Sequence, residues 1–192
     1  MTLLQVMPDD RPDTVLLRSD DATTIEAELK NHGVQFSQWP CSPELDLDSS
    51  HEEILAAYSD EVDELKARGG YRLVDVAAMR PDNADPGWTE RANKARDTFL
   101  NEHWHTEDEV RFFAAGRGCF YLHLDGRVLA VVCEAGDLLA VPAGTLHWFD
   151  MGARPYFVAI RFFEEEDGWV GNFTGNRISA AFPSLDELVV AQ

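Results

Sequence analysis

The sequence has little of the basic charge and none of the long apolar runs that are typical of proteins that bind nucleic acids or span membranes. Its 192 residues include only 16 lysines and arginines against 35 aspartates and glutamates, a formal net charge of −19. A field of this sign repels phosphate backbones and anionic membranes, which disfavours both as partners. No apolar run approaches the roughly 20 residues that a membrane span requires. The first residues also lack a basic segment followed by an apolar one, so we expect no signal peptide and a cytoplasmic protein.

Cysteine is scarce as well, and its spacing argues against two kinds of site. Cys41, Cys119 and Cys133 are odd in number and widely separated, with no CxxC pair among them. This pattern indicates neither a disulfide framework nor a cysteine-based metal site. We therefore expect three free, buried thiols.

The chain has no internal repeat, but the spacing of its apolar residues and turn signals changes near Asn101. The first hundred residues predict an N-terminal α/β portion, with strands over 34–39 and 71–79 and helices over 20–31, 50–67 and 88–100. After Asn101, short apolar runs alternate with turn signals such as Gly116-Arg117-Gly118. That spacing predicts an antiparallel barrel or sandwich core over 101–175 rather than βαβ units. With 45% hydrophobic residues, the length favours one domain, 1–192, mostly β with flanking helices.

The segment from His103 to Glu109 carries the strongest chemical signal. Side chains alternate between the two faces of an extended chain, so His103, His105, Glu107 and Glu109 share one face if the segment stays extended. Two imidazoles and a carboxylate on one face, with a later histidine at His147, can converge on one cation. Such ligands suit Fe, Ni, Mn, Co or Zn better than Ca or Mg.

The spacing around these residues resembles the two-part cupin signature. Six residues separate Glu109 from Gly116, and the second half runs from Gly136 through Pro142 and Gly144 to His147. In that superfamily both halves lie on strands of a double-stranded β-helix, or jelly roll, and meet at a metal. Two positions depart from the signature, because Asp97 replaces its usual first glycine and Met151 its final asparagine. These departures point to a particular branch rather than a generic cupin.

The stretch from Phe99 to Asp150 closely resembles the acireductone dioxygenase family of methionine salvage. The resemblance rests on FLNEHWHTEDEVRFF, GRGCFYLHL and CEAGDLLAVPAGTLHWFDMG, continues through Phe157–Arg161 and Gly168-Trp169, and ends near Gly175. The N-terminal helices are compatible with the family but add little specific signal.

The resemblance implies a metal site, a substrate and a reaction. The implied ligands of one Fe(II) or Ni(II) per chain are His103, His105, Glu109 and His147. The implied substrates are 1,2-dihydroxy-3-keto-5-methylthiopentene and O2. With iron, the products would be 4-methylthio-2-oxobutanoate and formate. With nickel, they would be 3-methylthiopropanoate, formate and carbon monoxide.

The chemistry of the four ligands fits such a substrate. Four protein ligands on a six-coordinate ion leave two positions, which an enediolate can occupy through two oxygens. A dication with one carboxylate and three neutral imidazoles has a net charge of +1, so an anion can bind despite the acidic surface. Arg111, two residues beyond Glu109, either forms a structural salt bridge or holds the substrate dianion as a catalytic cation. The resemblance favours the catalytic role.

Several further residues flank the motifs, each with two interpretations. Glu102 and Glu107 are either surface charges or acceptors that orient the imidazoles, and Arg161 is expected to pair with one of them. Aromatic side chains either line the pocket entrance or belong to the core: Phe99, Phe149 and Trp169. His123 has no partner at metal-binding spacing, and we interpret it as structural.

Two alternatives to the main hypothesis stay open at this point. One is another metal-dependent cupin enzyme, a dioxygenase or an isomerase with the same ligands. The other is a non-catalytic, metal-stabilised binding module, which would have a closed coordination shell. The high charge and modest size favour a monomer.

Overall fold

A computed structural model describes residues 1–42, 45, 49–165 and 170–190. Two mostly antiparallel sheets dominate it, and a single long strand, β6 (Glu109–Leu124), runs through both. The remaining strands are β1 (Leu3–Pro8), β2 (Leu17–Ser19), β3 (Gln35–Gln38), β4 (Leu73–Met79), β5 (His103–Trp104), β7 (Arg127–Glu134), β8 (Asp137–Val141), β9 (Leu146–Asp150), β10 (Phe157–Phe163) and β11 (Asn172–Phe173). The helices are α1 (Ala22–Asn31), α2 (His51–Ala57), α3 (Ser59–Gly69), α4 (Trp88–Phe99) and α5 (Leu185–Val190), with a 3-10 helix over Ile178–Ala181. Each of these helices is too short or too polar to cross a membrane.

The two sheets share β6 in different halves. Its second half lies in the order β11-β5-β9-β6-β7-β1-β2, whereas its first half pairs with β10 and β8, which carry β4 and β3 on their far sides. This arrangement is compatible with the expected jelly roll. Four strands from the first hundred residues therefore take part in the two sheets.

A bend at Gly116 lets β6 pass from one sheet to the other, because β6 pairs with β10 up to Gly116 and with β7 from Arg117 onward. Gly116 has a φ of +69°, and a Cβ there would lie 2.1 Å from the carbonyl oxygen of Tyr156. Only glycine combines that backbone conformation with so close an approach. The prediction of a turn at Gly116–Gly118 was wrong, because the strand bends there without ending.

The core has an interior between the sheets and two outer layers. Phe113, Phe120 and Phe149 belong to the interior cluster, together with Ile25 and Leu29 of α1. Helices α2 and α3 cover the outside of the β4-β10-β6-β8 region, and α5 covers the outside of the other sheet. Each of these contacts removes apolar surface from water, which stabilises the fold by about 25 cal/mol per Å² of apolar area buried.

The predicted helices are largely confirmed, with one correction. The capping box formed by Ser50 and Glu53 is present, and α1 is capped by Asp21. The single helix expected over 50–67 is instead two, because the chain breaks at Tyr58 and restarts at Ser59. The side chain of Tyr58 is buried against Phe112 at that break.

All three cysteines are free thiols. Cys119 and Cys133 are buried, as expected, and burial raises the pKa of both well above the usual value. Cys41 is exposed, which corrects the expectation that all three would be buried.

Candidate metal centre

Two short strands, one loop and the first residue of β6 bring the four predicted ligands together. His103 lies on β5, directly across from His147 on β9, and Glu109 is the first residue of β6. His105 lies in the loop between β5 and β6. The segment is therefore not one extended strand, as alternation had suggested, and Glu107 does not join the cluster.

The ligand atoms are close enough to surround one ion. One nitrogen from each histidine and one oxygen of Glu109 all lie within 4.8 Å of one another. The ring centroids of His103 and His147 are 4.4 Å apart, and those of His103 and His105 are 5.2 Å apart. Within the described chain this is the one group of three or more such residues that could hold a metal.

Hydrogen bonds at the far side of each ring fix which nitrogen faces the cluster. The Nδ1 atoms of His103, His105 and His147 lie 2.7, 2.9 and 2.8 Å from the carbonyl oxygens of residues 101, 170 and 145. A carbonyl oxygen can only accept, so each Nδ1 carries the proton and each Nε2 presents a lone pair inward. Metal-binding histidines are held in this way.

Two atoms at the centre of the cluster lack the partners that burial demands. Among the described residues, Glu109 Oε2 and His147 Nε2 are buried without a hydrogen bond, although they lie 2.7 Å apart. Buried polar atoms are rarely left unsatisfied, since each costs about 1–3 kcal/mol. Two orphaned donor atoms of the metal-ligating type, facing each other, fit a cation between them.

The charge states of His103 and Glu109 also suit a cation. Burial lowers the pKa of His103 to about 4, aided by the neighbouring imidazoles, so this ring is neutral near pH 7. Burial raises the pKa of Glu109, but Arg111 and His147 more than offset this and hold it well below the usual value. A neutral imidazole and an ionised carboxylate are the forms that bind metals.

Arg111 lies against the centre rather than apart from it. Its Nε donates to Glu109 Oε1 at 2.6 Å, and its Nη2 lies 2.5 Å from the same oxygen. The guanidinium carbon is 6.0 Å from the centre of the Phe120 ring. Arg111 therefore forms a salt bridge with Glu109, which offers one oxygen to Arg111 and the other to the cluster.

The C-terminal segment closes over the first two histidines. Val170 supplies the carbonyl that holds His105, and β11 pairs with β5. A Cβ on Gly171 would lie 3.2 Å from Cδ2 of His103, so a larger residue would press on that ring. Sequence analysis missed this contact, which joins residues 65 positions apart.

The remaining predicted site residues are placed as follows. Arg161 pairs not with Glu102 or Glu107 but with Asp75 on the neighbouring strand, whose two carboxylate oxygens accept from its Nε and Nη2 at 2.7 and 2.5 Å. Register explains the correction, since Asp75 lies directly opposite Arg161, and Arg111 lies opposite on its other side.

In the described structure, the recorded contacts of Glu102 and Glu107 do not include the imidazoles of His103, His105 and His147. Glu107 accepts from the backbone N–H of Glu164. Glu102 is buried and contacts His123 and Thr174. Phe149 packs between the two sheets, with its ring centroid 4.8 Å from that of Phe120.

Two aromatic residues remain to be placed. Phe99, at the end of α4, is 38% exposed. Trp169 lies outside the described residues.

Comparison with known proteins gives a consistent result. A model of the ARD/ARD′ family matches residues 3–171. "Acireductone dioxygenase 2" of Nocardia farcinica is 60% identical over 191 residues and covers 100% of both chains. "Acireductone dioxygenase" of Saccharopolyspora erythraea is 53% identical over 192 residues, again with 100% of both. A solved structure described as acireductone dioxygenase from Bacillus anthracis with cadmium ion in its active center is 30% identical, with a TM-score of 0.75 over 90% of this chain and 98% of that one.

Proposed function

Because this chain belongs to the ARD/ARD′ family of acireductone dioxygenases, we propose that it cleaves 1,2-dihydroxy-3-keto-5-methylthiopentene with O2 in methionine salvage. It is a metal-dependent dioxygenase. We assign His103, His105, Glu109 and His147 as the ligands of one Fe(II) or Ni(II). The orphaned pair Glu109 Oε2 and His147 Nε2 is the observation that carries this assignment.

The donor set narrows the choice of ion. Three imidazole nitrogens and one carboxylate oxygen favour first-row transition metals over Ca²⁺ and Mg²⁺, which prefer oxygen. When bound, such an ion supplies positive charge and vacant positions for substrate oxygens. With iron we expect 4-methylthio-2-oxobutanoate and formate, and with nickel we expect 3-methylthiopropanoate, formate and carbon monoxide.

The residues of the chain prepare the site for an anionic substrate. Arg111 lies beside Glu109, partly buried over Phe120, where a cation attracts an enediolate more strongly than it would in open water. We propose that Arg111 holds the substrate oxygens and favours loss of their protons. Phe120 and Phe149 fill the interior near His147, which excludes water on that side.

Aromatic and charged residues around the metal centre have proposed roles as well. We propose that Phe99 and Trp169 contact the methylthio tail, and that Arg161, fixed by Asp75, contributes to the charge of the pocket. The cytoplasmic location and the monomeric state stay predictions from the sequence.

An absorbance assay tests the proposed function. The purified chain, loaded anaerobically with Fe(II) or Ni(II), is mixed with the enediol, and its ultraviolet absorbance is followed before and after O2 is admitted. We expect decay only when metal, protein and O2 are all present, with carbon monoxide released by the nickel form. A loaded chain that leaves the enediol intact in O2 would contradict the proposal. Formation of an isomer without O2 would instead identify a different cupin enzyme.

A further inference from the structure

A cluster of four residues lies on the outer side of the sheet behind the metal centre. His123 Nδ1 is 2.7 Å from Glu102 Oε1, and its Nε2 is 3.3 Å from Asp9 Oδ2. Thr174 Oγ1 donates to the other oxygen of Glu102 at 2.8 Å. We call Asp9, Glu102, His123 and Thr174 the outer clamp. It joins the end of β1, the residue before β5, β6 and the C-terminal segment.

The outer clamp and the metal centre lie on opposite faces of the same sheet. Side chains alternate along β6, and Leu122 points into the interior cluster, so His123 points outward. Glu102 reaches His123 on that outer side, whereas its neighbour His103 points inward to the cluster. The backbone between Glu102 and His103 is thus held from both faces.

The strand that carries His103 has little pairing of its own. β5 is two residues long; in the described structure it shares one register pair with β9, His103 with His147, and two with the equally short β11. A strand so short gains few ladder hydrogen bonds. Its position therefore depends on other contacts, and Thr174 supplies one more by donating its backbone N–H to the Glu102 carbonyl at 3.0 Å.

The carboxylate of Glu102 is the pivot of the outer clamp. Glu102 is only 2% exposed, and a carboxylate buried to that degree is costly unless it is paired and hydrogen-bonded. Each of its two oxygens has one donor, from His123 and Thr174. Removing the imidazole would leave one buried oxygen unsatisfied, and relaxation would move Glu102 together with the adjacent ligand.

The charges facing His123 favour its cationic form. Burial lowers the pKa of His123, but the hydrogen bonds and charges of Glu102 and Asp9 more than offset this and raise it overall. Glu102 and Asp9 are the charged groups that contact His123 in the described chain. An imidazole between two carboxylates can satisfy both through its two nitrogens.

We propose that His123 is a positioning residue that fixes His103 for metal binding by clamping Glu102 from behind the sheet. This inference rests on the proposed function, since it assumes a divalent ion at His103. It concerns the affinity and retention of the ion and not the reaction.

Ni(II) binding to the purified metal-free chain provides the test. Affinity and the rate of Ni(II) loss to a chelator are measured for the wild type, His123→Leu and His123→Asn. We expect His123→Leu to bind Ni(II) about 10- to 100-fold more weakly, because substitution of a residue that orients a metal ligand commonly has an effect of this size. His123→Asn should recover most of this loss, because its amide nitrogen can take the place of Nδ1 towards Glu102. A purely structural role would not separate the two variants in this way.

A second histidine provides the matched control. His32 also contacts carboxylates, with Nδ1 3.0 Å from Asp125, yet its recorded partners Asp125 and Glu28 lie outside the metal centre. His32→Leu should therefore bind Ni(II) as the wild type does. Hydrogen exchange of the Trp104 amide in the metal-free chain adds a readout without metal, and it should speed up in His123→Leu alone.

The outcomes separate the two proposals. A wild-type chain that binds no Ni(II) would overturn the metal centre and the clamp together. Wild-type binding with unchanged Ni(II) affinity in folded His123→Leu would overturn the clamp alone. If His123→Leu does not fold, Thr174→Val at an exposed position makes the same test from the other oxygen of Glu102. Unchanged Ni(II) affinity in that variant would likewise overturn the clamp.

Discussion

Strand β9 carries two buried polar clusters three residues apart, and they differ in how completely they are satisfied. Asp150 is fully buried and accepts four hydrogen bonds, two from Arg96 and one each from the backbone N–H of Gly152 and Leu185. His147 is buried to nearly the same degree, but its Nε2 has no hydrogen bond and faces an equally unsatisfied oxygen of Glu109.

The contrast separates structure from function. A buried cluster that satisfies all of its own atoms holds the fold together, and here Asp150 ties α4, β9 and α5 to one another. A cluster that leaves atoms unsatisfied needs a ligand to complete it. Both clusters are buried, so burial alone would not distinguish the structural cluster at Asp150 from the functional one at His147.

The largest expected effect comes from removing a ligand from the unsatisfied cluster. His147→Ala should fold, because it breaks up a pair that has no hydrogen bond, but its turnover should fall by about a thousandfold or more, since a metal contributes several kcal/mol. Ni(II) at 100 times its Kd should stabilise the wild type by about 2.7 kcal/mol and leave the variant unchanged. Thermal unfolding with and without Ni(II) measures this. Wild-type turnover in the variant would remove the distinction between the clusters.

Asp150→Ala tests the satisfied cluster and should show the reverse pattern. It leaves the partly buried Arg96 without its carboxylate, so we expect the free energy of unfolding to drop by about 3–5 kcal/mol. Ni(II) affinity should change little in the folded fraction. Asp75→Ala is the control, because the Asp75–Arg161 pair is more exposed and should cost about 1 kcal/mol or less. Denaturant unfolding measures both variants. If Asp150→Ala and Asp75→Ala lost the same free energy of unfolding, burial of the Asp150–Arg96 pair would add no stability.

Arg111 lies at the edge of the unsatisfied cluster, and its variant sharpens the contrast between binding and turnover. Arg111→Ala should retain metal but lose turnover by about 100-fold, the size expected for removal of one stabilising donor. Arg111→Lys keeps the positive charge but cannot place two nitrogens against Glu109. Its turnover should therefore lie between those of the wild type and Arg111→Ala. Metal content and steady-state kinetics provide the measurement. Full activity with normal substrate affinity in Arg111→Ala would refute the role.

The smallest expected effect concerns pH and the outer clamp. The pKa of His123 is raised in the folded chain, so its charged form adds stability that is fully present below the unfolded pKa, near 6.5, and is lost as pH rises through the folded pKa. His123→Asn should therefore destabilise the chain more at pH 6 than at pH 9, by about 0.5 kcal/mol after solvent screening. Urea unfolding at both pH values measures it. A difference that grows with pH would contradict the sign.

The cluster of four residues could be predicted from sequence because most of its spacing is local. His103, His105 and Glu109 lie within seven residues, and the glycine and proline spacing before His147 identifies its strand. Local capping signals likewise identified Ser50 and Glu53 as a helix start. In each case the information lies within one or two elements of secondary structure.

Contacts that depend on strand register could not be predicted in the same way. Arg161 was expected to meet a nearby glutamate, but β10 pairs with β4 and brings Asp75, 86 residues away, directly opposite. His123 was interpreted as structural because it has no partner at metal-binding spacing, and its contacts Asp9 and Glu102 come from distant segments. Gly116 looked like a turn because glycine favours both turns and bends within strands, and only the close approach of the Tyr156 carbonyl distinguishes them.

The carbonyl of Val170 has a consequence for when the protein can acquire its ion. His105 receives its orienting partner from a residue 65 positions later in the chain, so synthesis must pass that point before all three imidazoles are aligned. A nascent chain that ends earlier carries every ligand but not their final arrangement. Metal should therefore enter during or after the last stage of folding, and a truncation before Val170 should give a chain with intact ligand residues and weakened metal retention.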